Sequence, residues 1–240
     1  SEIVETELML SDLQSIESRI PTMEKKAKSG DREANELLPI INGVHDLLSS
    51  GKPARLLKIP ESEKPKLRNL QLLTSKPVLY ICNVSEEDAT TGNKHSKLVQ
   101  DIANKEDAVS IIISAKIESE ISQLQPEEKN EYLVELGLKQ SGLEQVIQSG
   151  YKLLNLITYF TSGVQESRAW TVPKGSSAPR AAREIHTDFE KGFIRAEVVS
   201  YQDYVNLGGE KKSKEAGKMR VEGKDYLVED GDVIYFRFNV

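Results

Sequence analysis

Apolar residues near the start of the chain recur at helical spacing and predict two helices. Their separations alternate between four and three residues, which is a heptad seam, at Met9, Leu13, Ile16, Ile20, Met23 and Ala27. A second stripe follows at Ala34, Leu38, Ile41, Val44 and Leu48. Between the stripes, Gly30 suits a helix C-terminus and Asp31 suits the next N-cap. The pattern predicts a helical hairpin over residues 5–50, with Pro21 kinking its first helix.

The middle of the chain alternates continuous apolar runs with amphipathic stretches. The runs at 78–82 and 109–113 are typical of buried parallel strands. A short helix capped by Ser62 is predicted over 62–73, and longer helices over 95–105, 117–136 and 142–154. This order is the α/β pattern of a parallel sheet with crossover helices, although two strands alone do not complete a doubly wound domain.

The last part of the chain predicts a small α+β unit. Its strands are expected at 156–172, 193–200, 219–228 and 232–239, with one helix over 178–189. The charged run Glu210-Lys211-Lys212-Ser213-Lys214 is expected to be an exposed loop.

Composition and charge narrow the class of protein. The 240 residues are 38% hydrophobic and 29% charged, with a formal net charge of −6, as expected of a soluble globular protein. There is no run of eighteen apolar residues that would predict a membrane span. The only cysteine, Cys82, lies in an apolar run, which favours a small buried hydrophobe and a reducing cytoplasm. Most of the negative excess falls in 76–155, which makes that part a poor nucleic-acid surface.

Two short polar motifs directly follow the two predicted strands. They are Asn83-Val84-Ser85-Glu86 and Ser114-Ala115-Lys116, about one strand–helix–strand unit apart. Ligands of open α/β sheets bind at the carboxyl ends of strands, so both motifs lie where a ligand is expected. They resemble the Asn-Lys-x-Asp and Ser-Ala-Lys loops with which G domains grip a nucleotide base. Because Glu86 stands for Asp and Val84 for Lys, guanine selectivity should be lost.

Each motif also has a purely structural interpretation. Asn83 or Ser85 would cap a turn, and Ser114 would cap an ordinary helix. The two motifs together, in order and at strand ends, favour the base site.

Longer segments carry a more specific resemblance. The segments are IHTDFEKGFIRAE and DGDVIYFRFNV near the end, SGYKLLNLITYFTSGV before them, TELMLSDLQSIE at the start, and NVSE as an altered base motif. With them the whole chain resembles the YchF proteins, the Obg-like ATPases. The resemblance implies a multi-domain α/β and α+β chain. Its expected domains are a helical coiled-coil insert over 1–75, the C-terminal half of a P-loop NTPase sheet over 76–155, and a TGS domain of β-grasp type over 156–240.

The resemblance also implies a function. These proteins prefer ATP to GTP, use Mg²⁺ and associate with ribosomes, so a cytoplasmic ribosome-associated ATPase is expected. Asn83 and Glu86 would read the adenine, Val84 would pack beside it, and Ser114, Ala115 and Lys116 would complete the pocket.

The catalytic parts cannot be carried over, because no G-x-x-x-x-G-K-[ST] motif occurs in the sequence. We expect no catalytic residue, no metal ligand and no hydrolysis by this chain alone, and a missing N-terminal P-loop segment as its partner. A nucleotide-independent RNA- or ribosome-binding module is the alternative, and a coiled-coil interaction protein is a further one. The candidate RNA contacts are Arg168, Lys174, Arg180, Arg183, Lys191 and Arg195, for which a solvated face is an equal interpretation.

Overall fold

The computed structural model describes residues 2–106, 108–163 and 165–239. The chain forms two compact units, Ser1–Lys139 and Gln140–Val240. The division into three domains at 75 and 155 stays a prediction. Within the described ranges, no helix is both long enough and apolar enough to cross a membrane.

The first unit begins with the two expected helices, α1 (Glu2–Lys28) and α2 (Arg32–Ser49). Gly30 adopts a left-handed φ of 87° in the turn, and the Asp31 carboxylate caps α2 by accepting a hydrogen bond from the Ala34 amide at 2.9 Å. The apolar stripes pack into one core whose buried members are Ile16, Ile40, Ile41, Val44, Leu48, Ala54, Leu70 and Leu72. The prediction of a helical hairpin is confirmed.

Two local predictions in this region fare differently. Helix α1 continues through Pro21, and the expected kink at that residue stays a prediction. The predicted helix at 62–73 is shorter, because a 3₁₀ turn, Glu61–Glu63, precedes α3 (Lys64–Asn69). Ser62 lies inside that turn and does not cap the helix, so its assignment as a cap was wrong.

A two-stranded parallel sheet follows, made of β1 (Leu79–Asn83) and β2 (Val109–Ile113). Helix α4 (Lys94–Lys105) connects the strands, as predicted. The predicted helix at 117–136 is two helices, α5 (Ala115–Gln123) and α6 (Pro126–Glu135), because Pro126 begins a new first turn. The strands are only partly buried, with Ile81 47% exposed and Cys82 half-buried, so the expected burial of the two apolar runs is only partial in this chain.

The second unit is a five-stranded mixed sheet of order β4-β3-β7-β5-β6 with helices packed against it. Its elements in chain order are α7 (Gly142–Leu153), β3 (Leu156–Ser162), β4 (Ser167–Pro173), α8 (Ala178–Ile185), α9 (Thr187–Lys191), β5 (Phe193–Ser200), α10 (Tyr201–Leu207), α11 (Glu210–Glu215), β6 (Arg220–Glu222) and β7 (Asp232–Phe238). Strand β3 pairs in parallel with β7, and the other strand pairs are antiparallel. The α+β prediction for this part is confirmed at the level of fold class.

Several predicted elements of the second unit need correction. The stretch 156–172 is a hairpin of two strands, 219–228 contributes only β6, and 178–189 contains two helices, since α8 ends at Ile185 and His186 caps α9. The run Glu210 to Lys214 is not a loop but most of α11. Ser213 is fully buried there, and its hydroxyl donates to the Gly209 carbonyl at 2.8 Å.

Candidate nucleotide-base site

The two polar motifs lie side by side at one edge of the small sheet. Asn83 ends β1 and is the ladder partner of Ile113, which ends β2, so the loops leave the sheet together. The Val84 amide donates to the Ile113 carbonyl at 2.9 Å and extends the ladder by one step into the loop. The parallel pairing thus brings together residues about thirty positions apart.

Two side-chain contacts join these loops. The Asn83 Oδ1 accepts a hydrogen bond from the Ala115 amide at 3.0 Å. That amide is one of the unpaired donors in the first turn of α5, so the neighbouring strand caps this helix. The Lys116 ammonium lies 2.7 Å from Glu86 Oε2, and this hydrogen bond raises the pKa of Lys116. Asn83, Glu86, Ala115 and Lys116 therefore form one connected cluster.

Ser114 has an unusual environment in this cluster. It occupies the N-cap position of α5, yet its side chain makes no capping hydrogen bond, so the interpretation of Ser114 as an ordinary side-chain cap was wrong. The residue is 4% exposed, and its hydroxyl is buried without a hydrogen-bond partner among the described residues. An unpaired buried hydroxyl costs on the order of 1–3 kcal/mol, so this group has an unmet capacity to bind a polar atom.

Sequence reasoning missed the residues that shape the loop after β1. Asp88 accepts hydrogen bonds from Ser85 Oγ at 3.0 Å and from Asn93 Nδ2 at 3.1 Å. Asn93 also caps α4 in a capping box with Ser96, a signal that the Asn-x-x-Ser spacing carries. Gly92 adopts a φ of 70°, and an added Cβ would lie 2.5 Å from Ser96 Oγ, so the turn requires glycine.

A second acidic group lies near Lys116 and was also missed. Glu120, one turn further along α5, accepts a hydrogen bond from the Tyr132 hydroxyl. This contact is the main reason that the pKa of Tyr132 rises to about 12. The Glu120 charge adds to the effect of Glu86 in raising the pKa of Lys116. Lys116 therefore remains protonated throughout the neutral range.

The candidate RNA contacts lie in the second unit, and carboxylates pair with most of them. The observed pairs are Arg180–Glu184 at 3.4 Å, Arg183–Glu190 at 3.5 Å, Lys191–Asp188 at 3.6 Å and Arg195–Glu197 at 3.1 Å. Arg168 instead stacks over the Trp170 ring, with its guanidinium carbon 4.2 Å from the ring centroid. Lys174 lines an open cavity of about 1040 Å³ beside α7 and β3. Of the six side chains, only Arg168 and Lys174 have no carboxylate partner in the part of the chain that the structure describes.

Potential metal ligands are not clustered in the part of the chain that the structure describes. Among the described residues, no group of three or more His, Cys, Asp or Glu side chains has a geometry that would hold a metal ion.

The first unit thus contains a parallel α/β sheet with two polar loops at the carboxyl ends of adjacent strands, the place where ligands of open α/β sheets bind. Comparisons with known proteins refine this description. The family model described as "YchF-GTPase_C: Protein of unknown function (DUF933)" matches residues 156–239. Over its full length the chain is 49% identical to the "Ribosome-binding ATPase YchF" of Escherichia coli O157:H7 and 48% identical to that of Bacillus subtilis strain 168. The chain belongs to the YchF family.

The similarity extends to solved structures. A Schizosaccharomyces pombe structure described as a YchF GTPase superposes with a TM-score of 0.84 at 33% identity, over 98% of this chain and 64% of that one. A GTP-binding protein from Pyrococcus horikoshii OT3, with a TM-score of 0.59 and 17% identity, shares the fold alone. The chain spans 66% of the length of the Escherichia coli and Bacillus subtilis relatives.

Proposed function

We propose that this chain supplies the base-reading loops and the C-terminal domain of a cytoplasmic, ribosome-associated ATPase. The proposal rests on the hydrogen bond that the Ala115 amide donates to the Asn83 side chain, which joins the two loops at the carboxyl ends of β1 and β2. Relatives that are about half identical to it are named ribosome-binding ATPases. In this proposal Asn83 and Glu86 read the adenine of ATP.

The remaining loop residues fit a base. The Ser114 hydroxyl is buried and unpaired among the described residues, and a polar atom of a bound base would satisfy it. Ala115 and Lys116 complete the pocket, and Val84, half-buried, packs beside the ring. ATP is proposed over GTP, because a Glu carboxylate and a Val replace the Asp and Lys with which G domains recognise guanine.

Phosphate and Mg²⁺ binding need residues beyond those of this cluster. Backbone amides, a lysine and a hydroxyl hold the phosphates and the metal in P-loop proteins, and the sequence carries no G-x-x-x-x-G-K-[ST] motif. We therefore propose that a P-loop segment N-terminal to this chain in the intact protein completes the site. ATP and Mg²⁺ would be its cofactors there, while the chain alone binds ATP weakly and does not hydrolyse it.

The other parts of the chain would serve association with the ribosome. The five-stranded mixed sheet with α8 packed on it supports assignment of 156–240 as a TGS domain of β-grasp type, in which Tyr159 donates to the Ala181 carbonyl at 2.9 Å. The hairpin of α1 and α2 is proposed to be the coiled-coil insert. Because carboxylates neutralise four of the six candidate cations, Arg168 and Lys174 are the proposed RNA contacts.

The proposal is tested by titrating the chain with ATP while following backbone amides of the two loops by NMR. We expect weak binding that shifts Val84 and Ala115, and that Asn83→Ala weakens, because Asn83 both joins the loops and contacts the base. Phosphate release should stay at the level of buffer. Steady hydrolysis by material of verified mass, abolished by Asn83→Ala, would overturn the expectation of inactivity and reveal a phosphate site within the chain.

A further inference from the structure

Glu86 and Lys116 make the only ion pair that the structure shows between the two loops of the described chain. Glu86 begins a 3₁₀ turn, Glu86–Asp88, after β1, and Lys116 lies in the first turn of α5 after β2. The ammonium contacts one specific oxygen, Oε2, at 2.7 Å. The bond between Asn83 and Ala115 fixes the two loops relative to each other, so this contact is built into the loop geometry.

Guanine and adenine present different hydrogen-bond donors to a carboxylate. Guanine presents two neighbouring donors, N1–H and N2–H, and a carboxylate reads them by accepting one hydrogen with each oxygen. Adenine has an acceptor at N1 and no donor at position 2, so the N6 amino group is the only hydrogen-bond donor on its Watson–Crick edge. A carboxylate with one free oxygen can therefore still accept from adenine, whereas recognition of guanine requires both oxygens.

We propose that Lys116 is a specificity-determining residue that disfavours guanine by occupying Oε2 of Glu86. This inference rests on the base site proposed above and deepens it. The ammonium already takes one acceptor site of Oε2 and part of its charge, so guanine must share that oxygen with the ammonium or displace it. Adenine uses Oε1 and leaves the pair intact. Lys116 acts through Glu86, so it positions and partly neutralises the carboxylate rather than reading the base itself.

The exposure of the pair sets the size of the effect. The side chains of Lys116 and Glu86 are 68% and 39% exposed, and exposed ion pairs are individually weak because water screens them. The contribution of Lys116 to discrimination is therefore expected to be about three- to fivefold in relative affinity. A larger effect would require a buried pair.

The test compares ATP and GTP binding to the chain and to Lys116→Met, which keeps the aliphatic stem and removes the charge. NMR titration of the Val84 and Ala115 amides measures dissociation constants even when binding is weak. We expect the ratio of the GTP to the ATP constant to fall about three- to fivefold in Lys116→Met. Lys97→Met, which removes an exposed cation of the same unit from α4, should leave the ratio unchanged.

Two further variants separate this role from a general charge effect. Lys116→Arg should restore the ratio of the unmodified chain, since a guanidinium can take the same oxygen. Combining Lys116→Met with Glu86→Gln should abolish the gain for GTP, because no carboxylate remains for guanine to use. A gain that persists in the double variant would overturn the inference.

The outcomes distinguish this inference from the proposed base site. If Asn83→Ala weakens both nucleotides but Lys116→Met leaves the ratio unchanged, the base site stands and the role of Lys116 is refuted. If Asn83→Ala changes neither affinity, or neither nucleotide shifts the loop amides up to its solubility limit, the base site and the inference both fail.

Discussion

Among single residues, Glu197 is a buried carboxylate that two arginines contact. It lies on β5 with its side chain 8% exposed, 2.7 Å from Arg237 and 3.1 Å from Arg195. The hydrogen bond from Arg237, followed by that from Arg195, lowers the pKa of Glu197 against the opposing effect of burial. A lowered folded-state pKa stabilises the fold above the unfolded-state pKa, and that stability is lost as the pH falls through the folded-state value.

We predict that Glu197→Gln lowers the free energy of unfolding of the second unit by about 1–3 kcal/mol at pH 7, because it removes charge-assisted hydrogen bonds at a buried site. The difference from the unmodified chain should shrink as the pH falls below the ordinary range of a glutamate. Urea denaturation followed by fluorescence of Trp170, the single tryptophan, measures this difference in the free energy of unfolding.

Glu222→Gln on β6, whose carboxylate is 3.8 Å from Arg220, is the control and should lower the free energy of unfolding by less than about 0.5 kcal/mol. A pH-independent difference would show that only packing is affected.

The charge on Asp232 acts with the opposite sign. Desolvation raises the pKa of Asp232, against hydrogen bonds from the Tyr226 hydroxyl at 2.6 Å and the Glu229 amide at 2.9 Å. A raised carboxyl pKa means that the folded state binds the proton more tightly than the unfolded state does. Ionisation of Asp232 therefore lowers the free energy of unfolding as the pH rises through the pKa of this carboxyl group. Asp232 is present in both the unmodified chain and the Glu197 variant, so its effect cancels in their difference.

At the scale of elements, Gly192 joins α9 to β5 at a point of very close backbone approach. Gly192 has a φ of −90°, which any residue can adopt. An added Cβ, however, would lie 1.9 Å from the Asn239 carbonyl oxygen. The Asn239 amide donates to the Gly192 carbonyl at 2.9 Å, which ties the end of the last strand to this corner. Steric closeness rather than backbone conformation therefore requires glycine here.

Gly192→Ala is predicted to destabilise the second unit by about 1–3 kcal/mol, because backbone atoms rather than a flexible side chain must move. Gly223→Ala is the matched control, since its Cβ would meet no atom within 4 Å and its φ is not positive. That variant should stay within about 0.5 kcal/mol of the unmodified chain. Urea midpoints from Trp170 fluorescence compare the two, and equal midpoints would mean that the corner relaxes without cost.

The elements also show which features a sequence can predict. The Gly30-Asp31 turn and the strand at 109–113 were predictable because their signals are local, in a cap residue and a continuous apolar run. Helix α11 was missed because its lysines are typical of an exposed loop, and the burial of Ser213 arises only from tertiary packing. In the candidate site, strand-end placement predicted that the loops would meet, but not that Lys116 would take an oxygen of Glu86.

At the scale of the whole chain, contacts between residues far apart in sequence unite the first unit. Asp12 on α1 is buried and accepts hydrogen bonds from the amides of Leu73 and Thr74 at 2.8 and 2.7 Å. Arg55, with its side chain 11% exposed, forms ion pairs with Glu5 on α1 and with Glu106, which follows α4, the latter at 2.7 Å. These contacts attach the hairpin to the part of the unit that carries the candidate site, and no local sequence pattern predicts them.

The Arg55 cluster also reaches the strand that leads into the base loop. The Tyr80 hydroxyl donates to Glu106 Oε2 at 3.1 Å, and Tyr80 lies on β1 three residues before Asn83. Desolvation, followed by the hydrogen bond to Glu106, raises the pKa of Tyr80, so the hydroxyl stays protonated and able to donate at neutral pH. Glu5 on α1 is thus connected to β1 through one guanidinium and one carboxylate.

We predict that Arg55→Met loosens the start of α1 and destabilises the first unit by about 3 kcal/mol, because its removal leaves two largely buried carboxylates without their cation. Hydrogen exchange should accelerate around Glu5 and Tyr80, while the amides of Leu73 and Thr74 stay protected by Asp12.

Adding Glu5→Gln and Glu106→Gln to Arg55→Met should recover much of the lost stability, since no carboxylate without a cation remains. Arg32→Met, which removes an exposed arginine paired with Glu36 on α2, should leave exchange at Glu5 unchanged. Unchanged exchange at both Glu5 and Tyr80 in Arg55→Met would show that packing of the hairpin core, and not this ion-pair cluster, holds the hairpin to β1.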